Sequence, residues 1–151
     1  MAEAASVCLE EQGHGMVTAL SVEGEFEEVF SLERLLAGVQ MRNSYRHAER
    51  ATEQGAYGVS ILAVCTLTRL TVFQQSTRRT GVDYWLIPEG AEFFQGATRL
   101  EISGIRKGGE HTLRRRVRQK VAQTKRWERG TNPTLVAVVE FSRPVLRIVK
   151  A

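Results

Sequence analysis

The sequence predicts an α/β protein with a mixed central sheet flanked by helices. Short segments rich in β-branched and aromatic residues, bounded by turn formers, accompany two long segments of helical character. From about residue 44 to 141 these segments follow the order helix, strand, strand, strand, helix, strand, an alternation typical of helices packed on a sheet. With 151 residues, of which 42% are hydrophobic and 25% charged, the chain has the size and composition of one globular domain.

The N-terminal part of the sequence predicts a flexible segment followed by a β-hairpin. We expect residues 1–14 to be flexible and 15–151 to form a single domain. Apolar runs at 16–22 and 26–30, separated by Glu-Gly-Glu, predict the hairpin. A serine able to cap a helix then predicts a short helix over 32–39.

The first long helix is expected to begin at one of two good N-cap residues, Asn43 or Ser44, and to continue to about residue 65. Gly55 and Gly58 each cost this helix about 1 kcal/mol relative to alanine. We attribute the two glycines to close packing of the helix against a strand.

The remaining elements are predicted from apolar runs and their bounding turn residues. A continuous apolar run predicts a buried central strand, and the final run predicts an edge strand. The predicted elements are strands at 71–75, 82–87 and 98–105, a helix at 110–129, the central strand at 135–141 and the edge strand at 145–149.

Composition argues against several classes of protein. The longest apolar run, 59–67, is too short to cross a bilayer, and the first residues lack the basic and apolar stretches of a secretory signal peptide. We therefore expect a cytoplasmic protein that does not associate with a membrane. Cys8 and Cys65 are the only cysteines, and their setting predicts neither a disulfide nor a zinc site.

The charge of the chain is unevenly distributed. The net charge is +4, but residues 1–40 contain eight acids and one base, whereas 106–129 contain ten bases and two acids. A basic segment of this density attracts a polyanion, although a solvated helix face has the same composition. The residues expected to contact a nucleic-acid backbone are Arg106, Lys107, Arg114, Arg115 and Arg118.

Two acidic residues stand inside apolar, strand-like runs. Asp83 and Glu101 would each be costly to bury unless they were paired or held a cation. If their strands form an antiparallel pair, the two carboxylates meet at one end, where hard oxygen ligands suit Mg²⁺ or Mn²⁺. The alternatives are that Asp83 caps local backbone groups after a turn and that Glu101 forms a buried ion pair with Arg99 or with a helix arginine.

The two predicted long helices offer further polar groups to such a site. Glu49 and Glu53 share one face of the first helix because they are four residues apart, and Glu53 is nearer the strands in sequence. In the second helix, three-four spacing places Arg116 and Lys120 at the border of the apolar seam. Both cations could instead extend to solvent.

This set of residues resembles the PD-(D/E)XK phosphodiesterase superfamily, which includes restriction endonucleases and archaeal-type Holliday-junction resolvases. The resemblance implies a restriction-endonuclease-like αβββαβ core at about 44–141, an Mg²⁺- or Mn²⁺-dependent nuclease activity, and DNA as substrate. It also implies that Asp83 and Glu101 are metal ligands and that Glu53 is an auxiliary acid. The matching residues are the helix with Glu53, then Gly81-Val82-Asp83-Tyr84-Trp85-Leu86, then Leu100-Glu101-Ile102-Ser103.

Ser103 departs from the motif of that superfamily, which has lysine two residues after the second acid. A serine hydroxyl supplies no positive charge to stabilise a developing negative charge. Some members recruit this lysine from a neighbouring helix, and Lys120 is the candidate here. The alternative is a nuclease-like fold that has lost catalysis and binds nucleic acid, a second copy of the chain or a small protein partner.

Overall fold

A computed structural model describes residues 1–77, 81–126 and 131–151, and these residues form a mixed α/β fold. Within the described residues, four helices accompany one seven-stranded sheet. The helices are α1 (Ala2–Glu11), α2 (Val39–Ser44), α3 (Ala48–Leu67) and α4 (Gly109–Arg126). The strands are β1 (Val17–Gly24), β2 (Glu28–Glu33), β3 (Leu70–Gln75), β4 (Tyr84–Pro88), β5 (Thr98–Ile105), β6 (Thr134–Glu140) and β7 (Val145–Lys150).

The sheet is mixed, as predicted, with the strand order β2-β1-β7-β6-β5-β4-β3. Strands β5 and β6 are parallel, as are β1 and β7, and every other neighbouring pair is antiparallel. The parallel pair β5–β6 is connected through α4, which is the long crossover that parallel neighbours require. The predicted hairpin is confirmed as β1 and β2.

The sheet has a core on each face. On one face, Leu100 and Ile102 of β5 pack with residues of α1 and α3. On the other face, Val136 and Val138 of β6 pack against Leu113 of α4. All seven residues of β6 are buried, which explains its continuous apolar sequence and confirms the predicted central strand.

The prediction of a flexible segment at residues 1–14 is wrong, because α1 is a helix with a buried face. Residues 4–9 are all buried, and α1 packs on α3. The two helices approach so closely that a Cβ at Gly55 would lie 3.0 Å from Ala5 Cα, and one at Gly58 would lie 3.0 Å from Met1 Cβ. These glycines therefore serve helix–helix packing rather than the packing against a strand that we expected.

Three other boundaries differ from the predictions. The predicted helix at 32–39 is wrong, because β2 continues to Glu33 in register with β1 and the next helix begins at Val39. The long helix α3 begins at Ala48 rather than at residue 43 or 44, which lie in α2. Strand β7 is not an edge strand, because it lies between β1 and β6. The predicted end of the last helix, at residue 129, lies outside the described residues.

The short length of β4 leaves part of β5 uncovered. The ladder between the two strands spans only Thr98–Leu100 of β5, whereas β5 continues to Ile105. Beside this uncovered part, α3 approaches β5 so closely that a Cβ at Gly104 would lie 2.6 Å from the backbone oxygen of Thr52. The uncovered edge of β5 thus forms the floor of a groove between α3 and α4. No helix in the described part of the chain is long and apolar enough to cross a membrane.

Candidate active site

The two acids predicted as a pair are adjacent in the structure. Asp83 immediately precedes β4, and its backbone N–H donates to the carbonyl of Leu100 at 2.9 Å. Because Tyr84 pairs with Leu100, this register places Asp83 opposite Glu101. The Asp83 carboxylate also accepts a hydrogen bond from the backbone N–H of Ile102, with Oδ2 at 2.7 Å. The predicted antiparallel arrangement of these two strands is confirmed.

Tyr57 of α3 connects Asp83 to Glu53. Its hydroxyl oxygen lies 3.0 Å from Asp83 Oδ1 and 3.2 Å from Glu53 Oε1. A tyrosine has one hydroxyl proton, so the two carboxylates compete for the same donor. Burial, and then the negative charges of the two acids, raise the pKa of Tyr57. The hydroxyl therefore stays protonated and holds Asp83 in a fixed orientation.

Lys120 of α4 forms an ion pair with Glu101. Its Nζ lies 2.6 Å from Glu101 Oε1, and Gln123 Nε2 lies 3.4 Å from the same oxygen. Glu101 is only 3% exposed. Burial raises the pKa of Glu101 to about 7, and the charge of Asp83 acts in the same direction, whereas Lys120 lowers it. Burial also raises the pKa of Asp83, although the Ile102 N–H opposes this rise.

Ser103, the departure from the expected motif, is hydrogen-bonded to an arginine. Nη1 of Arg116 donates to Ser103 Oγ at 2.8 Å and approaches the carbonyl oxygen of Gly104 at 3.3 Å. Ser103 is nearly buried and Arg116 is half-buried. The same strand face thus presents Glu101 to Lys120 and Ser103 to Arg116, one helical turn apart along α4.

Two cavities adjoin the acid pair. One, of about 510 Å³, is lined by Asp83, Glu101 and Tyr57, and the other, of about 740 Å³, is lined by Ser103 and Arg116. Glu53 and Lys120 line both cavities, which therefore adjoin each other. We call the combined depression the α3–α4 groove.

The basic residues predicted to bind a nucleic-acid backbone occupy different positions. Lys107 lines the larger cavity. Arg106 also lines it, but its guanidinium is held by Glu11, Cys8, Ala48 and Thr52, which connect α1 to α3. Among the described residues, Arg114, Arg115 and Arg118 do not line either cavity. Arg114 is paired with Glu110, and all three arginines are exposed. A phosphate contact for these exposed arginines stays a prediction.

The acid pair offers two ligands of the kind that a magnesium or manganese ion prefers. Asp83, which is partly buried, and Glu101, which is buried, supply hard carboxylate oxygens, and a divalent cation would offset the burial and the Asp83 charge that raise the pKa of Glu101. Within the described residues, no group of three or more His, Cys, Asp or Glu side chains is arranged to hold a metal. Because Mg²⁺ commonly keeps several waters and bridges to phosphate, two carboxylates are a sufficient protein contribution.

Sequence reasoning missed three residues of the site, namely Tyr57, Arg116 as a partner of Ser103, and Gln123. Each lies three or four residues from a predicted site residue on the same helix, so helical spacing was the available signal. That spacing does not show which of several polar neighbours turns toward the sheet. Gln123 contacts Glu101 because it shares one flank of α4 with Lys120.

Comparisons with protein-family models, with curated proteins and with solved structures found no match to this chain.

Replacing Glu101 with glutamine is expected to stabilise the metal-free protein at pH 8. The folded-state pKa of about 7 lies above the ordinary value of 4.5, so the folded protein binds this proton more tightly than the unfolded chain. Stability therefore falls as the pH rises from about 4.5 to 7, and the loss is complete above pH 7. The substitution removes this loss, which we expect to be on the order of 1 kcal/mol, and thermal unfolding in EDTA at pH 5 and pH 8 measures it.

Glu110→Gln is the matched control because it is expected to change the stability at pH 8 in the opposite direction. Hydrogen bonds from Arg147 and Arg114 lower the pKa of Glu110 to about 2, so its ionised form stabilises the fold above its ordinary pKa. This control is expected to lower the unfolding temperature at pH 8. A Glu101→Gln protein that is less stable than wild type at pH 8 would contradict the expectation.

Proposed function

We propose that the protein is a metal-dependent phosphodiesterase that cleaves nucleic acid, with DNA as the expected substrate. The observation that carries the proposal is the contact of Lys120 with Glu101, directly beside Asp83. This contact supports the idea that Lys120 takes the place of the motif lysine, whose position in this sequence is occupied by Ser103. An acid pair able to hold a divalent metal, a cation beside it and an open groove are the parts that metal-assisted phosphodiester hydrolysis uses.

The order of elements supports the same proposal. Helix α3, strands β3, β4 and β5, helix α4 and strand β6 follow one another, with the three strands antiparallel and β6 parallel to β5. This is the arrangement expected for the restriction-endonuclease-like αβββαβ core, and we propose membership of the PD-(D/E)XK superfamily on that basis.

Each residue of the site has a distinct task in the proposed reaction. Asp83 and Glu101 would hold Mg²⁺ or Mn²⁺, which when bound lowers the pKa of water and polarises a phosphoryl oxygen. Lys120 supplies positive charge where the negative charge of the transition state develops, and Glu101 keeps its ammonium in place. Tyr57 holds the Asp83 carboxylate, and Glu53, on the opposite wall of the groove, is placed to orient water or accept a proton.

The proposal is tested by combining calorimetry with a cleavage assay. Wild-type protein is expected to bind Mg²⁺ or Mn²⁺ and to cut plasmid or single-stranded DNA in Mg²⁺, and EDTA is expected to stop the cutting. Glu101→Gln should abolish metal binding in the same titration. Absence of both metal binding and cleavage would overturn the proposal.

A second candidate function is a nuclease-like module that does not cut. The observation in its favour is that both acids already have protein partners: Glu101 pairs with Lys120, and Asp83 accepts from Ile102 and Tyr57. Such a module would bind nucleic acid, a second copy of the chain or a small protein. Polyanion binding that weakens with salt, together with no heat of Mg²⁺ or Mn²⁺ binding, would favour it.

A further inference from the structure

We propose that the α3–α4 groove contains a second phosphate subsite, in which Arg116, positioned by Ser103, binds the phosphate next to the one that is cleaved. This inference rests on the proposed function, since it names how the same groove holds its nucleic-acid strand. The ligand is a phosphodiester of that strand, and the residue that touches it is Arg116.

The contacts of Arg116 leave most of its donors free for a ligand. Both of its hydrogen bonds use Nη1, which contacts Ser103 Oγ and the carbonyl oxygen of Gly104. Among the residues that the structure describes, Nε and Nη2 have no hydrogen-bond partner and no carboxylate forms an ion pair with this guanidinium. A half-buried, oriented and uncompensated guanidinium in a groove is well suited to an anion, because its remaining N–H groups can bind two phosphate oxygens at once.

The position of Arg116 relative to Lys120 suits consecutive phosphates. The two residues are four apart on α4 and therefore lie about 6 Å apart along the helix axis, on the same flank. This separation is comparable with that of successive phosphates in a nucleic-acid strand. Lys107 lines the same part of the groove and adds to its positive charge. Lys120 would then contact the scissile phosphate while Arg116 holds its neighbour.

Ser103 gains a function in this arrangement. Its hydroxyl accepts a hydrogen bond from Arg116. A lysine at position 103 would instead repel the guanidinium, because both side chains are positively charged. The strand position that lacks the expected cation thus fixes the direction of another cation, and Ser103 is a positioning residue. Replacing it should alter the strength of substrate binding more than the rate of the chemical step.

The test uses end-labelled DNA strands that each carry one uncharged methylphosphonate linkage, cut by the 151-residue protein in Mg²⁺. Wild type is expected not to cut the modified linkage itself. It should also fail to cut one unmodified linkage at a fixed distance, because the uncharged linkage would then lie in the Arg116 subsite. In Arg116→Ala, cleavage at the unmodified neighbouring linkage should no longer depend on the modification, because the contact between Arg116 and that phosphate is already missing. The modified linkage itself should still resist cleavage. Retention of both losses in Arg116→Ala would overturn the inference.

Three further variants separate the subsite from general charge and folding effects. Lys125→Ala removes one charge from an exposed position nearly opposite Arg116 around α4, and it should keep the wild-type pattern. Ser103→Ala should raise KM severalfold with kcat little changed, and Ser103→Thr, which keeps a hydroxyl, should restore KM. A Ser103→Ala protein with unchanged KM would contradict the positioning role.

Binding without metal distinguishes failure of the subsite from failure of the proposed function. In EDTA, Arg116→Ala is expected to weaken the binding of a fluorescein-labelled oligonucleotide about tenfold, whereas Lys125→Ala leaves it nearly unchanged. If wild type never cuts but this difference appears, the nuclease proposal fails and the phosphate subsite stands. If Arg116→Ala binds as wild type does, or wild type does not bind, the subsite is wrong whether or not the protein cuts.

Discussion

Replacing Asp83 with alanine or asparagine is expected to lower Mg²⁺-dependent cleavage of DNA by about 1,000-fold or more, while DNA binding in EDTA changes by less than about twofold. The reason is that Asp83 supplies one of the two carboxylates proposed to hold the metal, whereas the cations proposed to hold the strand lie on α4 or just before it. Asparagine keeps an oxygen that can accept from the N–H of Ile102, so this variant should retain the local fold. Rates of plasmid nicking and fluorescence polarisation measure the two quantities.

Glu89→Gln is the matched control for this prediction. Glu89 is an exposed acid just beyond the other end of β4, and it does not line the α3–α4 groove as described. Its substitution should leave cleavage unchanged. An Asp83→Asn protein that cuts at the wild-type rate would rule out the proposed active site, because that site needs the Asp83 carboxylate to hold the metal.

Replacing Lys120 with methionine is expected to lower the cleavage rate by about 100-fold, the scale seen when one donor to a transition-state charge is removed. Methionine fills a similar volume, so packing along α4 should persist. Lys125→Met is the control, because it removes the same charge from an exposed position on another side of α4. Equal activity of the Lys120→Met and wild-type proteins would show that Lys120 serves only as a structural partner of Glu101 and takes no part in the reaction.

A lysine at position 103 offers a sharper form of this prediction. Residues 101 and 103 face the same way along β5, so Ser103→Lys would bring an ammonium to the same face as Glu101. Combined with Lys120→Met, it is expected to restore cleavage in part. Full restoration is not expected, because the new lysine displaces the hydroxyl that holds Arg116.

The parts of the fold that the sequence predicted well are those whose pattern depends on local burial. Strand β6 is buried on both faces and reads as a continuous apolar run, and β5 with its turn residues was placed within the correct bounds. Helix α1 was missed because its small residues are recognisable as a packing surface only when they are seen against the glycines of α3. Such a contact joins distant segments, and periodicity within either segment does not reveal it.

The candidate site was likewise predicted where local pattern determines the geometry and missed where contacts between distant segments do. Asp83 and Glu101 were predicted to meet because strand pairing fixes their register, and Lys120 was placed because three-four spacing gives its side of the helix. Arg106 was grouped with the nucleic-acid-binding cations because sequence shows its charge but not its partners on α1 and α3. Charge in a sequence indicates which residues need a counter-ion, and only the fold decides whether the protein supplies it.

The contacts of Arg106 bear on how the molecule folds. Its guanidinium pairs with Glu11, which is 95 residues earlier in the chain, and also contacts Thr52 at the wall of the α3–α4 groove. Loop-closure entropy opposes a contact of such long range until the intervening sheet has formed. We therefore expect this wall of the groove to form late and together with the docking of α1, so that the groove is completed only when the chain is fully folded.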